Sequence, residues 1–284
     1  MDKKISIFEV GPRDGLQNIK NEIPINRKID LIDILSSTGI TKIECGSFVS
    51  AKWVPQMKDT EKIFQKIRRK DGVKYTALTP NLKGLENALD AQVDEVAVFA
   101  AASETFSQKN VNCSITESLE RFEDIFKKAG QKKIPVRGYV SCIVECPYEG
   151  KVMPDKVLEV TSRLLDMGCY EVSLGDTIGK GTPKTVEALL KVICENLKVE
   201  QLAGHFHDTS DTAIKNVEVG LKYGITTFDT AIGGLGGCPY APGAKGNLST
   251  VNLINAFGIN SFIGALDLEK LLYAEKYLDE LLKK

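Results

Sequence analysis

The sequence has neither a long hydrophobic run nor an excess of charge of one sign. No apolar stretch approaches the roughly 18 to 20 residues that a helix needs to cross a bilayer, so we expect no membrane partner. The 37 basic and 38 acidic residues give a formal net charge of -1, which offers no positive field to a phosphate backbone. We therefore expect no nucleic-acid partner.

Signals for disulfide bonding and secretion are lacking as well. The seven cysteines are odd in number and scattered, and the pair Cys142 and Cys146 has no matching second pair that would complete a structural zinc site. The N-terminus has no signal-peptide pattern, because Lys3 and Lys4 lead straight into the short apolar segment 5–8. These features favour a reducing, cytoplasmic compartment.

Eight short apolar runs alternate along the chain with stretches of helical periodicity, such as 155–167. Eight right-handed βα crossovers close into a barrel, so the predicted fold is an α/β (β/α)8 TIM barrel. An open doubly wound sheet is the rival, but no Gly-x-Gly-x-x-Gly opens the first helix. The predicted strands are 5–11, 42–46, 74–79, 95–100, 136–142, 171–174, 202–207 and 227–232.

Two further segments follow the eighth predicted strand. The segment 233–247 contains six glycines and is predicted to be a lid loop that opens and closes over a site. Cys238 at its centre is either a thiol that delivers a proton or merely a small loop residue, and spacing does not decide between them. The leucine-rich segment 268–282 predicts an extra C-terminal helix. With no repeat or linker, residues 1–284 are predicted to form one domain.

Polar residues near the carboxyl ends of the predicted strands are the candidates for chemistry, because barrel enzymes place their reactive groups there. Any of these charges could instead form a structural ion pair, and for Arg137 the two interpretations are equally supported. The candidates are Arg13, Asp14, Glu44, Arg137, Asp176, His205 and His207.

The chain has only two histidines, His205 and His207, and they lie two apart in one predicted strand. Residues at that spacing point to the same face, so the two imidazoles can bind one metal ion. The alternative is a pair of structural histidines, each with its own hydrogen-bond partner. Asp14 and Asn247 can add oxygen ligands, and a mixed set of nitrogen and oxygen donors suits Mg²⁺ or Mn²⁺ better than zinc.

Several long motifs closely resemble the 3-hydroxy-3-methylglutaryl-CoA lyase family, and the match runs nearly end to end. The motifs are 8–18, 47–57, 136–142, 173–177 and the glycine-rich segment with Cys238. Members of this family are metal-dependent barrels that split 3-hydroxy-3-methylglutaryl-CoA (HMG-CoA) into acetyl-CoA and acetoacetate. The resemblance therefore implies this reaction, a small-molecule acyl-CoA substrate and a homodimer.

The motifs that match the family also suggest roles for individual residues of this chain. The resemblance implies that the ligands of the divalent ion are Asp14, His205, His207 and Asn247. It implies a catalytic set that consists of Arg13, Glu44, Asp176, His205 and Cys238. Gln17 and Ser47 lie within the motifs and are suspected contacts of the coenzyme A part.

The chain departs from the family pattern after Asn247. The family usually continues there with a threonine, a glutamate and an aspartate, whereas this chain has Thr250, Val251 and Asn252. Both acids are absent. They should lie not far from Asn247, so we expect their loss to affect the surroundings of the metal.

The residues support a retro-Claisen mechanism, in which an alcohol loses a proton and a thioester enolate leaves. Arg13 is predicted to stabilise the developing enolate oxygen, and Cys238 to protonate the enolate once the lid has closed. The first base is either Asp14 or a metal-bound hydroxide, because a histidine nitrogen on a metal has no free lone pair. Glu44 and Asp176 would orient the set.

Three alternatives remain open. One is an acetyl-CoA-dependent condensing enzyme of the isopropylmalate or homocitrate synthase type, which also carries a His-x-His pair but usually has an extra C-terminal region. Only about 25 residues follow Gly258 here, too few for another folded unit. A second is a related acyl-CoA lyase. The third, made conceivable by Val251 and Asn252, is a metal- or CoA-binding protein without turnover.

Overall fold

The computed structural model describes residues 4–236 and 246–283. Within these residues, eight parallel strands close a barrel, and helices alternate with them, so the predicted (β/α)8 fold is confirmed. The strands in chain order are β1 (Ser6–Glu9), β2 (Lys42–Ser47), β3 (Lys74–Leu78), β4 (Glu95–Ala101), β5 (Val136–Ser141), β6 (Glu145–Cys146), β7 (Gly150–Lys151), β8 (Glu171–Asp176), β9 (Leu202–Phe206) and β10 (Thr227–Thr230).

The barrel contains all of these strands except β6 and β7, which form a small antiparallel hairpin after β5 that the sequence analysis did not predict. The barrel closes where Glu9 of β1 pairs in register with Ile43 of β2. The register between β2 and β3 shifts at Glu44, as at a β-bulge, which is a common way to aim a side chain next to a site. Because all barrel strands are parallel, their carboxyl ends meet at one rim.

Helices surround the barrel and bury their apolar faces against it. In the helix over Pro154–Asp166, which covers the predicted periodic stretch 155–167 except its last residue, the apolar residues Val157, Val160 and Leu164 are all buried. The helices are α1 (Ile25–Ser36), α2 (Thr60–Lys66), α3 (Leu82–Asp90), α4 (Glu104–Val111), α5 (Ile115–Lys132), α6 (Pro154–Asp166), α7 (Pro183–Asn196), α8 (Ala213–Lys222), α9 (Thr250–Phe257) and α10 (Leu268–Leu282). No helix in residues 4–236 or 246–283 is long and apolar enough to span a bilayer.

The C-terminal segment closes the rim of the barrel opposite the strand carboxyl ends. Ile5 donates a backbone hydrogen bond to Ser261 and accepts one from Ile263, each 2.8 Å long. Asp267 donates to the carbonyl of Thr38, also at 2.8 Å, and α10 then packs against α1. The predicted C-terminal helix is therefore present.

This closure generates a stability prediction at Gly39. Gly39 has a φ of +89°, and a Cβ there would lie 2.2 Å from the carbonyl oxygen of Ala265. We expect Gly39→Ala to lower the free energy of unfolding by about 1 to 3 kcal/mol more than Gly72→Ala, because steric overlap adds to the backbone strain. Gly72 is the matched control, since its φ is +81° and nothing lies within 4 Å of a Cβ built there. Urea unfolding measures both, and equal losses would contradict the proposed contact.

Candidate active site

The two histidines lie side by side at the carboxyl end of β9. Their Nε2 atoms are 3.2 Å apart, and both rings are buried. Asp14 comes from the tight turn over Gly11–Gly15 that follows β1. One potential ligand atom from each of Asp14, His205 and His207 lies within 4.8 Å of the other two, which is the spacing of a metal-binding set.

Asn247 adds an amide to this set. Its Nδ2 donates to Asp14 Oδ2 at 2.7 Å and to the carbonyl of Leu235 at 2.9 Å, so Oδ1 is the atom that can bind a cation. A backbone bridge joins Asn247 to His207. The structure therefore brings all four predicted ligands together.

The donor set fits a divalent ion. Two ligands bound at right angles with bonds of about 2.1 Å lie about 3 Å apart, which matches the separation of the two Nε2 atoms. Burial and the neighbouring His205 lower the pKa of His207 to about 4, so its imidazole is neutral at pH 7, as metal binding requires. Burial favours the neutral form of Asp14, but the charge of Arg13 prevails and the pKa of Asp14 falls to about 2.

Arg13 bridges two carboxylates beside this set. Its Nε donates to Glu44 Oε2 and its Nη1 donates to Asp14 Oδ1, both at 2.5 Å. Its guanidinium carbon lies 5.3 Å from the ring centroid of Tyr139. The side chain is almost fully buried, so Arg13 holds a fixed positive charge next to the predicted ligands.

Glu44 is completely buried, and only one of its oxygens is well satisfied. Oε2 accepts from Arg13 and from the hydroxyl of Tyr139 at 3.2 Å, while Oε1 has no hydrogen-bond partner within the described residues. Burial raises the pKa of Glu44 even though Arg13 opposes this effect. Burial therefore favours the protonated form of Glu44, whereas the adjacent Arg13 favours the ionised form.

Tyr139 was not predicted as a site residue. Its hydroxyl binds Glu44, and its ring stands edge-on to that of His205 at 6.3 Å between centroids. The sequence did carry a signal, because Tyr139 lies two residues after Arg137 in the same predicted strand and thus shares its face.

Asp176 ends β8, and its carboxylate organises the loop that follows. Oδ1 accepts from the backbone N–H of Lys180 at 3.1 Å, and Oδ2 from that of Gly181 at 2.7 Å. Burial raises the pKa of Asp176 to about 6 despite these bonds. Both carboxylate oxygens of Asp176 are therefore hydrogen-bonded to the loop that follows β8, and Asp176 lies at the edge of the site.

The two predicted coenzyme A contacts, Gln17 and Ser47, have hydrogen-bond partners within the chain. Gln17 Nε2 donates to Asp14 Oδ1 at 3.0 Å. Ser47 is buried, and its Oγ accepts from the backbone N–H of Val49 at 3.3 Å. The side-chain amide of Gln17 and the hydroxyl of Ser47 are thus hydrogen-bonded to residues two or three positions away in the chain. Cys238 and most of the predicted lid lie outside the described residues.

The positions where the family carries two acids lie on the first turn of α9. Val251 is buried in the apolar core, and Asn252 is exposed and donates its backbone N–H to Ser249 Oγ at 3.2 Å. The Ser249 hydroxyl lies 3.4 Å from the carboxylate of Glu275 on α10. A carboxylate of this chain therefore lies close to that turn, although it comes from a different helix.

Arg137 belongs to a structural ion pair. It is 1% exposed, and its guanidinium binds Asp229 at 2.7 Å and Glu171 at 2.8 Å, both inside the barrel. This arrangement decides between the two interpretations that its sequence position allowed.

Comparison with known proteins agrees with this geometry. Residues 4–278 match the family described as HMGL-like. The chain belongs to this family. It is 53% identical over 254 residues to the 3-hydroxy-3-isohexenylglutaryl-CoA/hydroxy-methylglutaryl-CoA lyase of Pseudomonas aeruginosa, a match that covers 89% of this chain and 85% of the relative.

Solved structures of HMGL-like family members superpose over almost the whole chain. The HMG-CoA lyase from Brucella melitensis has a TM-score of 0.97 and 48% identity, with 99% of this chain and 100% of that one covered. An HMG-CoA lyase from Acinetobacter baumannii, solved with coenzyme A and 3-methylmalate, has a TM-score of 0.92 and 36% identity, with 99% and 92% covered. These relatives are named as lyases, which favours the predicted lyase over the condensing enzyme.

Glu9 is a second residue that was not predicted. It is fully buried below the turn that carries Arg13, and its Oε1 accepts from the backbone N–H groups of Gly11 and Ile232, each at 2.9 Å. Its Oε2 accepts from the hydroxyl of Thr250 at 2.6 Å. Glu9 thereby ties this turn to the start of the glycine-rich segment and to α9.

A pH dependence of stability follows from Glu9. Burial raises its pKa to about 7, so the folded state retains a proton that the unfolded chain loses at lower pH. Stability contributed by this proton is present below about pH 4.5 and is lost as pH rises to about 7. We expect the unfolding free energy of the wild type to fall by up to about 3 kcal/mol relative to Glu9→Gln over this window.

Denaturant unfolding between pH 4 and pH 8 measures this difference. Thr250→Val is the matched control, because it removes one hydrogen bond to Glu9 but keeps the carboxyl group. We expect its pH dependence to resemble that of the wild type. Parallel pH profiles for the wild type and Glu9→Gln would show that Glu9 titrates normally.

Proposed function

We propose that the chain is a divalent-metal-dependent carbon–carbon lyase that cleaves HMG-CoA to acetyl-CoA and acetoacetate. The observation that carries this proposal is the joining of Asp14 to Arg13 at 2.5 Å, within a set that also contains His205 and His207. A candidate cation site and a fixed guanidinium are therefore adjacent at the carboxyl ends of the strands. Membership of the HMGL-like family supports the same reaction.

Asp14, His205, His207 and Asn247 would hold the ion, and Mg²⁺ or Mn²⁺ suits their mixed oxygen and nitrogen donors. When bound, the ion supplies Lewis acidity that lowers the pKa of the substrate hydroxyl. The protein contributes a buried and largely prearranged set of donors, which Arg13, Gln17 and Asn247 orient through Asp14.

Arg13 stabilises the thioester enolate that forms as the carbon–carbon bond breaks. Its bonds to Glu44 and Asp14 fix the plane of the guanidinium before the substrate arrives, so little reorganisation accompanies the reaction. Asp14 is a poor base because its pKa lies near 2. Burial raises the pKa values of Glu44 and Asp176, so these two carboxyl groups hold a proton more readily than Asp14 does and would orient the set.

Several finer points belong to the same proposal. Cys238 would protonate the enolate, an assignment that rests on the family resemblance. An acyl-CoA is the small-molecule partner, and Gln17 and Ser47 would contact its coenzyme A part. The chain would act as a single-domain subunit of a homodimer in the cytoplasm. The six cysteines of the described residues are free thiols, which supports a reducing compartment.

Metal removal tests the function directly. Acetoacetate should form from HMG-CoA with Mg²⁺ or Mn²⁺, disappear after treatment with EDTA and return when the metal is restored. Thiol release from acetyl-CoA and a 2-oxo acid would instead identify a condensing enzyme. Acyl-CoA binding without acetoacetate would identify a binding protein, and full activity after exhaustive chelation would contradict the metal-dependent mechanism.

Substitution of the guanidinium tests the role of Arg13. Arg13→Lys should lower kcat by about 100- to 1,000-fold, because an ammonium cannot bind Glu44 and Asp14 with the same geometry and still face the enolate. Steady-state kinetics with HMG-CoA measure kcat and KM. Arg68→Lys is the control, since Arg68 pairs with Asp33 on the protein surface. Near-normal turnover by Arg13→Lys would remove the assigned role.

A further inference from the structure

Asp229 on β10 lies behind the two histidines and is not part of the ligand set described above. Its side chain is completely buried. Its Oδ2 lies 3.0 Å from His205 Nδ1, on the side of the ring that faces away from His207. The same oxygen accepts from the hydroxyl of Ser173 at 2.7 Å.

A carboxylate has no proton to donate, so the contact at 3.0 Å requires the proton to be on His205 Nδ1. The neutral imidazole then carries its lone pair on Nε2. That atom faces Nε2 of His207 at 3.2 Å, at the centre of the predicted ligand set. The tautomer that Asp229 selects is therefore the one that presents a lone pair to a cation.

Asp229 is itself held in the ionised, accepting form. Arg137 donates to both of its oxygens, at 2.7 Å to Oδ1 and 3.2 Å to Oδ2. Glu171 binds the Nε of this arginine at 2.8 Å, and the ring of Phe8 lies 4.1 Å from its guanidinium carbon. Since an arginine stays charged in proteins, the partner of His205 remains an acceptor.

The two imidazoles are not equivalent. His205 is fixed from behind by Asp229, whereas His207 Nδ1 has no hydrogen-bond partner within the described residues. Carboxylate partners of metal-binding histidines fix the tautomer and the ring orientation and make the ligand nitrogen more basic. Of the two histidines, only His205 has such a carboxylate partner within the described residues.

We propose that Asp229 is a positioning residue that locks His205 in the Nδ1–H tautomer and turns its Nε2 towards the divalent ion. The inference rests on the proposed function in one respect, namely that this site holds a cation. The buried Arg137 network then supports the metal site, because Arg137 binds both oxygens of Asp229. The Nδ1–H tautomer also assigns His205 to metal binding rather than to proton transfer, because both ring nitrogens are then committed.

The test compares two isosteric substitutions around Arg137. Asp229→Asn removes the charge that faces His205, whereas Glu171→Gln removes a charge from the same arginine without touching His205. We expect Asp229→Asn to raise the Kd for Mn²⁺ by about 10- to 100-fold. The Kd of Glu171→Gln should stay close to that of the wild type. Mn²⁺ titration followed by electron paramagnetic resonance measures each Kd without any acyl-CoA.

A spectroscopic measurement on the metal-free wild type gives an independent answer, even if a variant folds poorly. The chain has two histidines, so ¹⁵N-labelled histidine gives few signals, and His207→Gln assigns those of His205. We expect a protonated Nδ1 and an unprotonated Nε2 for His205 in the wild type. In Asp229→Asn we expect the Nε2–H form to appear.

The outcomes separate this inference from the proposed function. Wild-type protein that binds no Mn²⁺ would overturn both. Wild-type binding with an unchanged Kd in Asp229→Asn would overturn the inference and leave the metal site intact. An Nε2–H tautomer in the wild type, or an equal rise in Kd for Glu171→Gln, would likewise assign Asp229 to the general ion-pair network.

Discussion

Charge inside the barrel persists only where it is paired, and the bridge from Arg13 to Asp14 and Glu44 is the pairing on which the site depends. A single buried carboxylate would shift its pKa and become neutral, and a single buried guanidinium would be strongly destabilising. With the bridge in place, Asp14 stays ionised and can serve as a ligand. Burial raises the pKa of Glu44, although the charge of the same arginine opposes this effect.

A second arginine repeats the arrangement deeper in the barrel. Arg137 joins Asp229 and Glu171, and Tyr139 lies between the two guanidinium groups at 5.3 and 5.0 Å. The barrel interior therefore contains two layers of paired charges, one around Arg137 and one around Arg13. The deeper cation, Arg137, supports the ring of His205 through Asp229, and the shallower cation, Arg13, lies nearer the carboxyl ends of the strands. Such an arrangement fixes dipoles and charges before any ligand arrives.

Periodicity was sufficient to predict the barrel, because strands buried on both faces are apolar runs and the helices between them bury every third or fourth residue. Strand positions also identified the rim residues, since parallel strands end on one side. Arg137 is the second residue of its predicted strand, whereas Arg13 follows the end of the first strand. Strand position therefore agrees with the deeper place of Arg137, but its partners Asp229 and Glu171 are visible only in the structure. The sequence carries no signal for Asp229, because a single aspartate in a short strand belongs to no recognisable motif.

The fold class, the family and the imidazole pair are readable from the linear sequence, because these depend on local periodicity and on ordered motifs within single segments. Which charges pair with one another depends on the folded arrangement. Glu9, Arg13 and Asp229 find their partners across gaps of up to 241 residues, as between Glu9 and Thr250. Tautomers, raised carboxyl pKa values and the inward place of Arg137 follow from burial and distance, which a linear pattern does not contain.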